Sequence, residues 1–525
     1  MQNALSVLLI DPGSTRKEIN EPIGICTIAS YAEKYKTIPL SIDFIFLPID
    51  KLPEIDELKK YDVVGLSTKI GSVGVCDKVI RNIEKINRKQ RPLVLLGDLI
   101  ATFATEEVLK KYNDAICVVG EGEYAFLELL ELTYRFNNNK DKVGSEAAKR
   151  NVPNLGLLIN GTFMRTDSKL VDLSNCPPPL RNYASTIASI GGIIRGEGSR
   201  GCAWGKCSFC AIQHKYCNQV HWRPINIPRI ISELVQFSEL GINSLFYTDE
   251  DFIGNDGNRA IELANAIAKG KKAGLIDVDL NLYVDMRTDS ILAKSSNGQP
   301  SGMTVLKHLK KAGLREVFIG IESGSKSQVK RYRKASTAKR NLLVLDTLKS
   351  LDLTYDIGFI MFDPEMTIHE LNENISFIKS TRLNYHDSRL TKSLRIEPGT
   401  PVVKDYFEKG MIINELDVDQ LVYHYRWCYG DTQEAYEIFS NWENVFADDV
   451  YTIQAATRGE VQSENIRAEW REKLGQIRSV EIEALSSISR NLVENNNVNK
   501  ETLKTLQEIR HDIISDTLAI ITYRS

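Results

Sequence analysis

Apolar runs of strand length alternate with stretches of helical period over the first 135 residues. The runs Ser6–Ile10, Leu40–Phe46, Val63–Ser67, Leu93–Leu96 and Ile116–Val119 read as strands, and Gly24–Lys34, Val75–Asn87, Thr105–Lys111 and Ala125–Tyr134 as helices between them. Strands that alternate with helices predict a parallel sheet covered on both faces, a doubly wound Rossmann-like layer. The strands run into polar or glycine-rich loops: Asp11-Pro12-Gly13, Ser67-Thr68, Gly97-Asp98 and Gly120-Glu121-Gly122-Glu123. In open α/β sheets ligands bind where such loops gather, at the carboxyl ends of the strands.

Residues 136–185 read as a connector. It holds a short hairpin, Gly156–Ile159 and Thr162–Arg165, turned at Asn160-Gly161, and then Pro177-Pro178-Pro179. From about 186 to 405 the alternation resumes with a longer period. Strands are predicted at Ala188–Arg195, Ser244–Asp249, Asp279–Val284, Glu316–Ile321, Tyr355–Phe362 and Ser388–Arg395. Helices fit between them at Pro228–Leu240, Asn258–Lys269, Thr304–Lys311 and Ala338–Leu351. Six βα units predict a partial (β/α)6 barrel of the TIM type, with its chemistry at the C-terminal strand ends. Residues 406–525 lose the strand pattern and read as a helical C-terminal region. Long helices are expected at Glu464–Leu492, read as a solvated amphipathic helix, and at Asn499–Asp516.

Composition narrows the class. The chain has 525 residues, 42% hydrophobic, with a formal net charge of −3. That is enough for two or three cored domains and gives no global positive field for nucleic acid. The apolar run at the N-terminus has a strand's length, well short of a membrane span, and no secretory signal pattern stands there. A cytoplasmic protein is expected.

Nine cysteines are present. Cys26, Cys76, Cys117, Cys176, Cys217 and Cys428 are scattered and read mostly as small buried apolar residues. Cys202, Cys207 and Cys210 stand within nine positions, directly after the first strand of the second region. Three thiolates so close can hold three irons of a [4Fe–4S] cluster and leave the fourth iron open. They can also hold zinc, with His214 or Cys217 as a fourth ligand. The glycine match Gly196-x-Gly198-x-x-Gly201 leads into this loop rather than a helix, so it is not read as a dinucleotide site.

The loop, with aromatic Phe209 before the last cysteine, resembles the signature of the radical S-adenosylmethionine (SAM) superfamily. That family's commonest spacing is Cys-x3-Cys-x2-Cys. Here the first gap has one extra residue, across Ala203-Trp204-Gly205-Lys206. The resemblance implies a [4Fe–4S] cluster on Cys202, Cys207 and Cys210 and SAM on the open iron, cleaved reductively to a 5′-deoxyadenosyl radical. An electron donor such as flavodoxin or ferredoxin is implied as partner. SAM contacts are expected at later strand ends: Asp249 and Glu250 for the ammonium, Arg287 for the carboxylate, and Glu322 and Ser323 within Gly320-Ile321-Glu322-Ser323-Gly324. Arg395 is expected beside the Pro398-Gly399-Thr400-Pro401 turn.

Residues 1–135 resemble the cobalamin-binding-like domain that precedes many radical SAM domains. The matching elements are Asp11-Pro12, Glu21-Pro22-Ile23-Gly24, Asp62–Ser67 and Gly120–Glu123. Gly65, Ser67, Gly97, Gly120 and Glu121 are the candidate cobalamin contacts. There is no Asp-x-His-x-x-Gly motif, and Gly97-Asp98-Leu99-Ile100 stands where many relatives have Gly-Gly-x-His. Any cobalt would lack a histidine ligand from this domain. The resemblance implies methylation of an unactivated carbon, one SAM supplying the radical and another remethylating cobalamin. Rival readings are another radical outcome (cyclisation, epimerisation or sulfur insertion) and a zinc-bearing binding protein. The substrate, whether small molecule, peptide, lipid or antibiotic precursor, is not legible.

Overall fold

The computed structural model describes the chain except residues 1–2, 14–17, 217, 220–221, 382, 384–391, 459–463, 495–496 and 525. Five strands form the parallel part of the first sheet: β1 (Leu5–Asp11), β2 (Leu40–Phe46), β3 (Val63–Ser67), β4 (Leu93–Gly97) and β5 (Ala115–Val118). The hairpin β6 (Leu155–Ile159) and β7 (Thr162–Arg165), expected in a connector, pairs antiparallel with β5 and extends this sheet. The order is β2-β1-β3-β4-β5-β6-β7, so the chain reverses its direction of winding at β1/β3. Period-2 alternation explains the two-sided burial. Leu5, Val7 and Leu9 face a core with Ala29, Phe126 and Leu129, while Leu8 and Ile10 face one with Val79, Ile83 and Val108.

The second region starts differently from the prediction. Residues 188 and 189 close a helix, Ala184–Ser189, and the strand β8 is only Arg195–Gly196. A two-stranded antiparallel pair follows, β9 (Ser199–Arg200) with β10 (Arg223–Pro224), which brackets the cysteine loop. The parallel sheet then continues through β11 (Ser244–Tyr247), β12 (Asn281–Met286), β13 (Leu314–Glu322) and β14 (Thr354–Phe359). Among the described residues its order is β14-β13-β12-β11-β8, an open five-stranded sheet in chain order. The first half of the expected strand Ser388–Arg395 lies outside the described residues; in the second half Ser393 makes one parallel bridge with Phe362. Helices are set by local capping: Asn226 accepts from the Arg229 N–H, with Pro228 in the first turn, to start Ile227–Glu239.

The C-terminal helices are Gly430–Asn444, Ala447–Arg458, Glu464–Val493 and Lys500–Arg524. The helix expected to be solvated is instead packed: Trp470, Ile477, Ile482, Leu485 and Ile488 are buried. Its charges are satisfied internally, Glu481 taking Arg510 at 2.7 Å and Arg478 at 2.5 Å. A strap between the second sheet and the C-terminal helices crosses back to the first sheet. Leu416, Val418 and Leu421 join its core, and Asp419 accepts from the Val73 N–H at 2.9 Å. Among the described residues no helix is long and apolar enough to cross a membrane.

Candidate active site and cofactor cleft

The cysteine loop leaves β9 and is held from beneath by three consecutive acids that follow β11. Asp249 accepts from the Gly198 N–H at 2.8 Å and the Ser199 hydroxyl at 2.5 Å. Glu250 accepts from the Gly201 N–H at 3.0 Å, and Asp251 from the Ala203 N–H at 3.2 Å. The Ser208 N–H donates to the Tyr332 carbonyl at 3.0 Å and its hydroxyl to the Arg331 carbonyl at 3.0 Å, while the Ser208 carbonyl accepts from Val402 at 2.9 Å. The extra residue in the first gap is absorbed by a turn at Gly205, whose φ of +58° suits glycine.

Cys202, Cys207 and Cys210 are all partly exposed on this loop. Burial pushes the Cys207 thiol up to about 12 and Cys210 up to about 11. The Lys334 ammonium opposes both shifts. Burial disfavours its own charge, yet Glu322, 2.8 Å from Nζ, and the Cys207 thiol hold its pKa above the ordinary value. A coordinated thiol is deprotonated by its metal, so a cluster at these three soft donors, with Lys334 beside them, fits the chemistry of the loop. Of the two candidate fourth ligands for zinc, His214 stacks on Phe103 at 5.4 Å and Cys217 lies outside the described residues. Among the described residues no three His, Cys, Asp or Glu, the three cysteines included, already converge on one metal position.

The residues expected around SAM divide into two groups. Glu322 ends β13 at a bulge, with φ of +65° in a non-glycine residue, and sits beside Lys334. Phe209 packs edge-on against Tyr332 at 5.4 Å and under Lys334. These two are at the cysteine loop. The others are already engaged. Asp249 is 1% exposed, and burial raises its carboxyl to about 8 against the hydrogen bonds from Ser199 and Gly198. Glu250 takes Lys215 at 2.6 Å and the Tyr216 hydroxyl at 3.0 Å. Arg287 is forked onto Asp289 and reaches Asp251 at 2.5 Å. Ser323 is fully buried, its hydroxyl 2.5 Å from Gln328 Oε1 and 2.8 Å from Asn374 Oδ1. Arg395 is exposed and ties to Glu397 and the Gln420 carbonyl. Sequence reasoning missed Lys334, because nothing local in the sequence distinguishes it from the chain's other lysines, although its side chain is mostly buried. Cys428, expected to be buried, is exposed.

A cleft of about 260 Å³, open to solvent, lies on the carboxyl edge of the first sheet. Gly65, Ser67, Gly97, Gly120 and Glu121 all line it. The opposite wall is Glu197, Arg200, Lys215 and Tyr216, which flank the cysteine loop and were not anticipated. A Cβ on Gly97 would meet nothing within 4 Å, so this glycine leaves the cleft floor open, whereas one on Gly65 would fall 2.6 Å from Leu9. Gly120 takes φ of +73°. Glu121 is a buried joint: it accepts from the Val171 N–H at 2.7 Å, from Arg200 at 3.1 Å and from Arg223. Asp98 presents its carboxylate from a backbone with φ of +76°, held by the Ser67 hydroxyl at 2.7 Å.

Residues 197–378 match the Radical SAM superfamily. Over 336 residues the chain is 25% identical to 4′-phospho-dehydrooxetanocin synthase of Priestia megaterium, a stretch covering 61% of this chain and 43% of that relative's length. It is 26% identical over 376 residues to an uncharacterized methyltransferase of Pyrococcus horikoshii, covering 69% of this chain and 74% of that one. The fold is similar to that of the cobalamin-dependent S-adenosylmethionine radical enzyme OxsB, solved with aqua-cobalamin bound. The TM-score is 0.81 at 19% identity, over 99% of this chain and 81% of that one.

Proposed function

Residues 197–378 being a radical SAM domain, we propose that this chain is a cobalamin-dependent radical SAM enzyme that methylates an unactivated carbon. One observation carries the reading. The cleft on the first sheet is closed on its far side by residues that flank the cysteine loop. A cofactor seated there would face the loop across a shared wall.

When bound, the [4Fe–4S] cluster and SAM would supply the deoxyadenosyl radical, and cobalamin the methyl group. The chain's own residues do the positioning. Asp249, Glu250 and Asp251 fix the backbone from Gly198 to Ala203, so that Cys202 projects from a rigid base. Lys334 places a positive charge near Cys207 and Cys210. Gly97 keeps the cleft floor clear of side chains. Glu121 and Glu123 hold Arg200, two residues before Cys202, and so tie the cofactor cleft to the cluster loop. Glu250 links the same two places, accepting from Gly201 of the loop and Tyr216 of the cleft wall.

The test is anaerobic purification with added cobalamin, followed by absorption spectra, iron, cobalt and zinc analysis, and product assay with SAM. The methylase reading expects iron, cobalt, 5′-deoxyadenosine and S-adenosylhomocysteine. A second reading draws on the likeness to a synthase rather than a methylase. It expects 5′-deoxyadenosine without S-adenosylhomocysteine in the presence of substrate. Zinc without iron would sink both.

A further inference from the structure

Among the described residues four carboxylates line the cofactor cleft, and three of them are held by cations. Glu121 pairs with Arg200 and Arg223, Glu123 with Arg200, and Glu197 with Arg200 and Arg229. Asp98 is the fourth, and among the described residues it makes no ion pair. One of its carboxylate oxygens accepts from the Ser67 hydroxyl at 2.7 Å and the other from the Leu99 N–H at 2.7 Å, so about half of its acceptor positions stay open. The residue is exposed on the cleft. Its φ of +76° lies in the left-handed region that suits glycine, and it stands at the second glycine of the Gly-Gly-x-His run of the cobalamin-binding-like domains. Ile100, in the place of that run's histidine, is 1% exposed and packs in the core with Leu96 and Val108. The segment therefore brings a carboxylate and no imidazole to the cleft, next to Gly97, which leaves room for a flat ring.

We propose that the Asp98 carboxylate is the group this chain turns to cobalt from the sheet side of the cleft, and that its charge holds cobalt against reduction from Co(II) to Co(I). The proposal rests on the reading of the cleft as a cobalamin site. In the reduction Co(II) takes up one electron, and no bond to carbon forms or breaks. A fixed negative charge near the metal opposes the arrival of that electron and lowers the potential of the couple. Ser67 keeps the carboxylate in place through its hydroxyl, and the left-handed backbone sets its direction. Glu121, Glu123 and Glu197 are neutralised by their arginines and leave Asp98 as the uncompensated charge of the lining.

The experiment uses the full chain reconstituted with its cluster and hydroxocobalamin, poised at a series of potentials with mediators and followed by the Co(II) EPR signal. Asp98→Asn keeps the shape and loses the charge. Asp98→Gly removes the side chain and suits the backbone, so it should fold. Both are expected to keep cobalamin, read as cobalt content and corrin absorption, and to move the couple upward. At the parent's midpoint the ratio of Co(I) to Co(II) should rise about three- to tenfold, tenfold being about 59 mV for one electron. An unchanged ratio in Asp98→Asn overturns the proposal, whatever Asp98→Gly does, and leaves the cleft reading standing. Should Asp98→Asn fail to retain the cofactor, Asp98→Gly decides in its place. Loss of cobalamin from both makes Asp98 a binding contact alone and likewise overturns its effect on cobalt. A parent protein that retains no cobalamin overturns the cleft reading, and the role of Asp98 with it.

Discussion

The Asp251 carboxylate takes a guanidinium nitrogen of Arg287 at 2.5 Å and the Ala203 N–H at 3.2 Å. Arg287 therefore acts on the cysteine loop through Asp251, whose side chain is fully buried. Removing the cation leaves a buried carboxylate without its partner, which costs about 3 kcal/mol in comparable sites. Arg287→Ala should lower the melting temperature and the iron content after reconstitution. Arg287→Lys should recover part of both, since it keeps the charge but loses the fork onto Asp289. A variant with full iron content and a raised KM for SAM would instead place Arg287 on the ligand.

Two glycines of the cleft have opposite roles. Gly97 has an extended backbone, φ −131°, and open space where a Cβ would stand. Gly97→Leu should fold with stability close to that of the parent and fail to retain cobalamin, read as cobalt content and corrin absorption. Gly65 is packed under Leu9, where a Cβ would stand 2.6 Å from Leu9 Cδ2. Gly65→Ala should cost about 1–3 kcal/mol through overpacking, seen as a lower melting temperature without added cofactor. Equal cofactor retention in Gly97→Leu and parent would remove the cleft floor from the site.

The elements were legible where one local rule decides them. Strands β1, β3, β4 and β5 are mainly apolar runs, β2 alternates apolar with polar residues, and the cysteines declare themselves by spacing. The Ser323 segment was read as ligand-facing because a strand end carries no signal for which way each side chain turns. The bulge between Gly320 and Glu322 makes that decision, directing Glu322 to Lys334 and Ser323 into the core. The helix Glu464–Val493 was misread for a related reason. Its charges look solvated in sequence because the pairing that buries them is partly remote: Glu481 meets Arg478 of its own helix and Arg510 of the helix Lys500–Arg524. The far wall of the cleft, Arg200 and Tyr216, is assembled by long-range pairing that no short pattern records.

Ser323→Ala tests that buried placement. The hydroxyl sits among Gln328 and Asn374 and accepts from the Ser325 N–H at 2.8 Å. Its loss leaves buried polar groups short of a partner and should cost about 1–3 kcal/mol. SAM affinity, measured by titration of the reconstituted protein, should stay within twofold. An intact melting temperature with SAM affinity reduced tenfold would return Ser323 to the ligand.

Asp249 gives the fold a pH dependence of definite sign. Its carboxyl titrates ordinarily at 3.8 and is raised by burial to about 8 in the folded chain. Between these values the folded protein keeps a proton that the unfolded chain has released. The stabilisation is complete below 3.8, falls as pH rises and is gone once pH passes about 8. The slope is at most about 1.4 kcal/mol per pH unit. Asp249→Asn removes the titration and keeps one acceptor for the Gly198 N–H or the Ser199 hydroxyl. Its stability relative to the parent should therefore improve steadily from pH 5 to pH 8 and level off above that. Urea midpoints for both proteins, taken across this range without cofactors, give the comparison. Curves that run parallel would mean that Asp249 is already ionised in the fold, and that its contacts with Gly198 and Ser199 outweigh its burial.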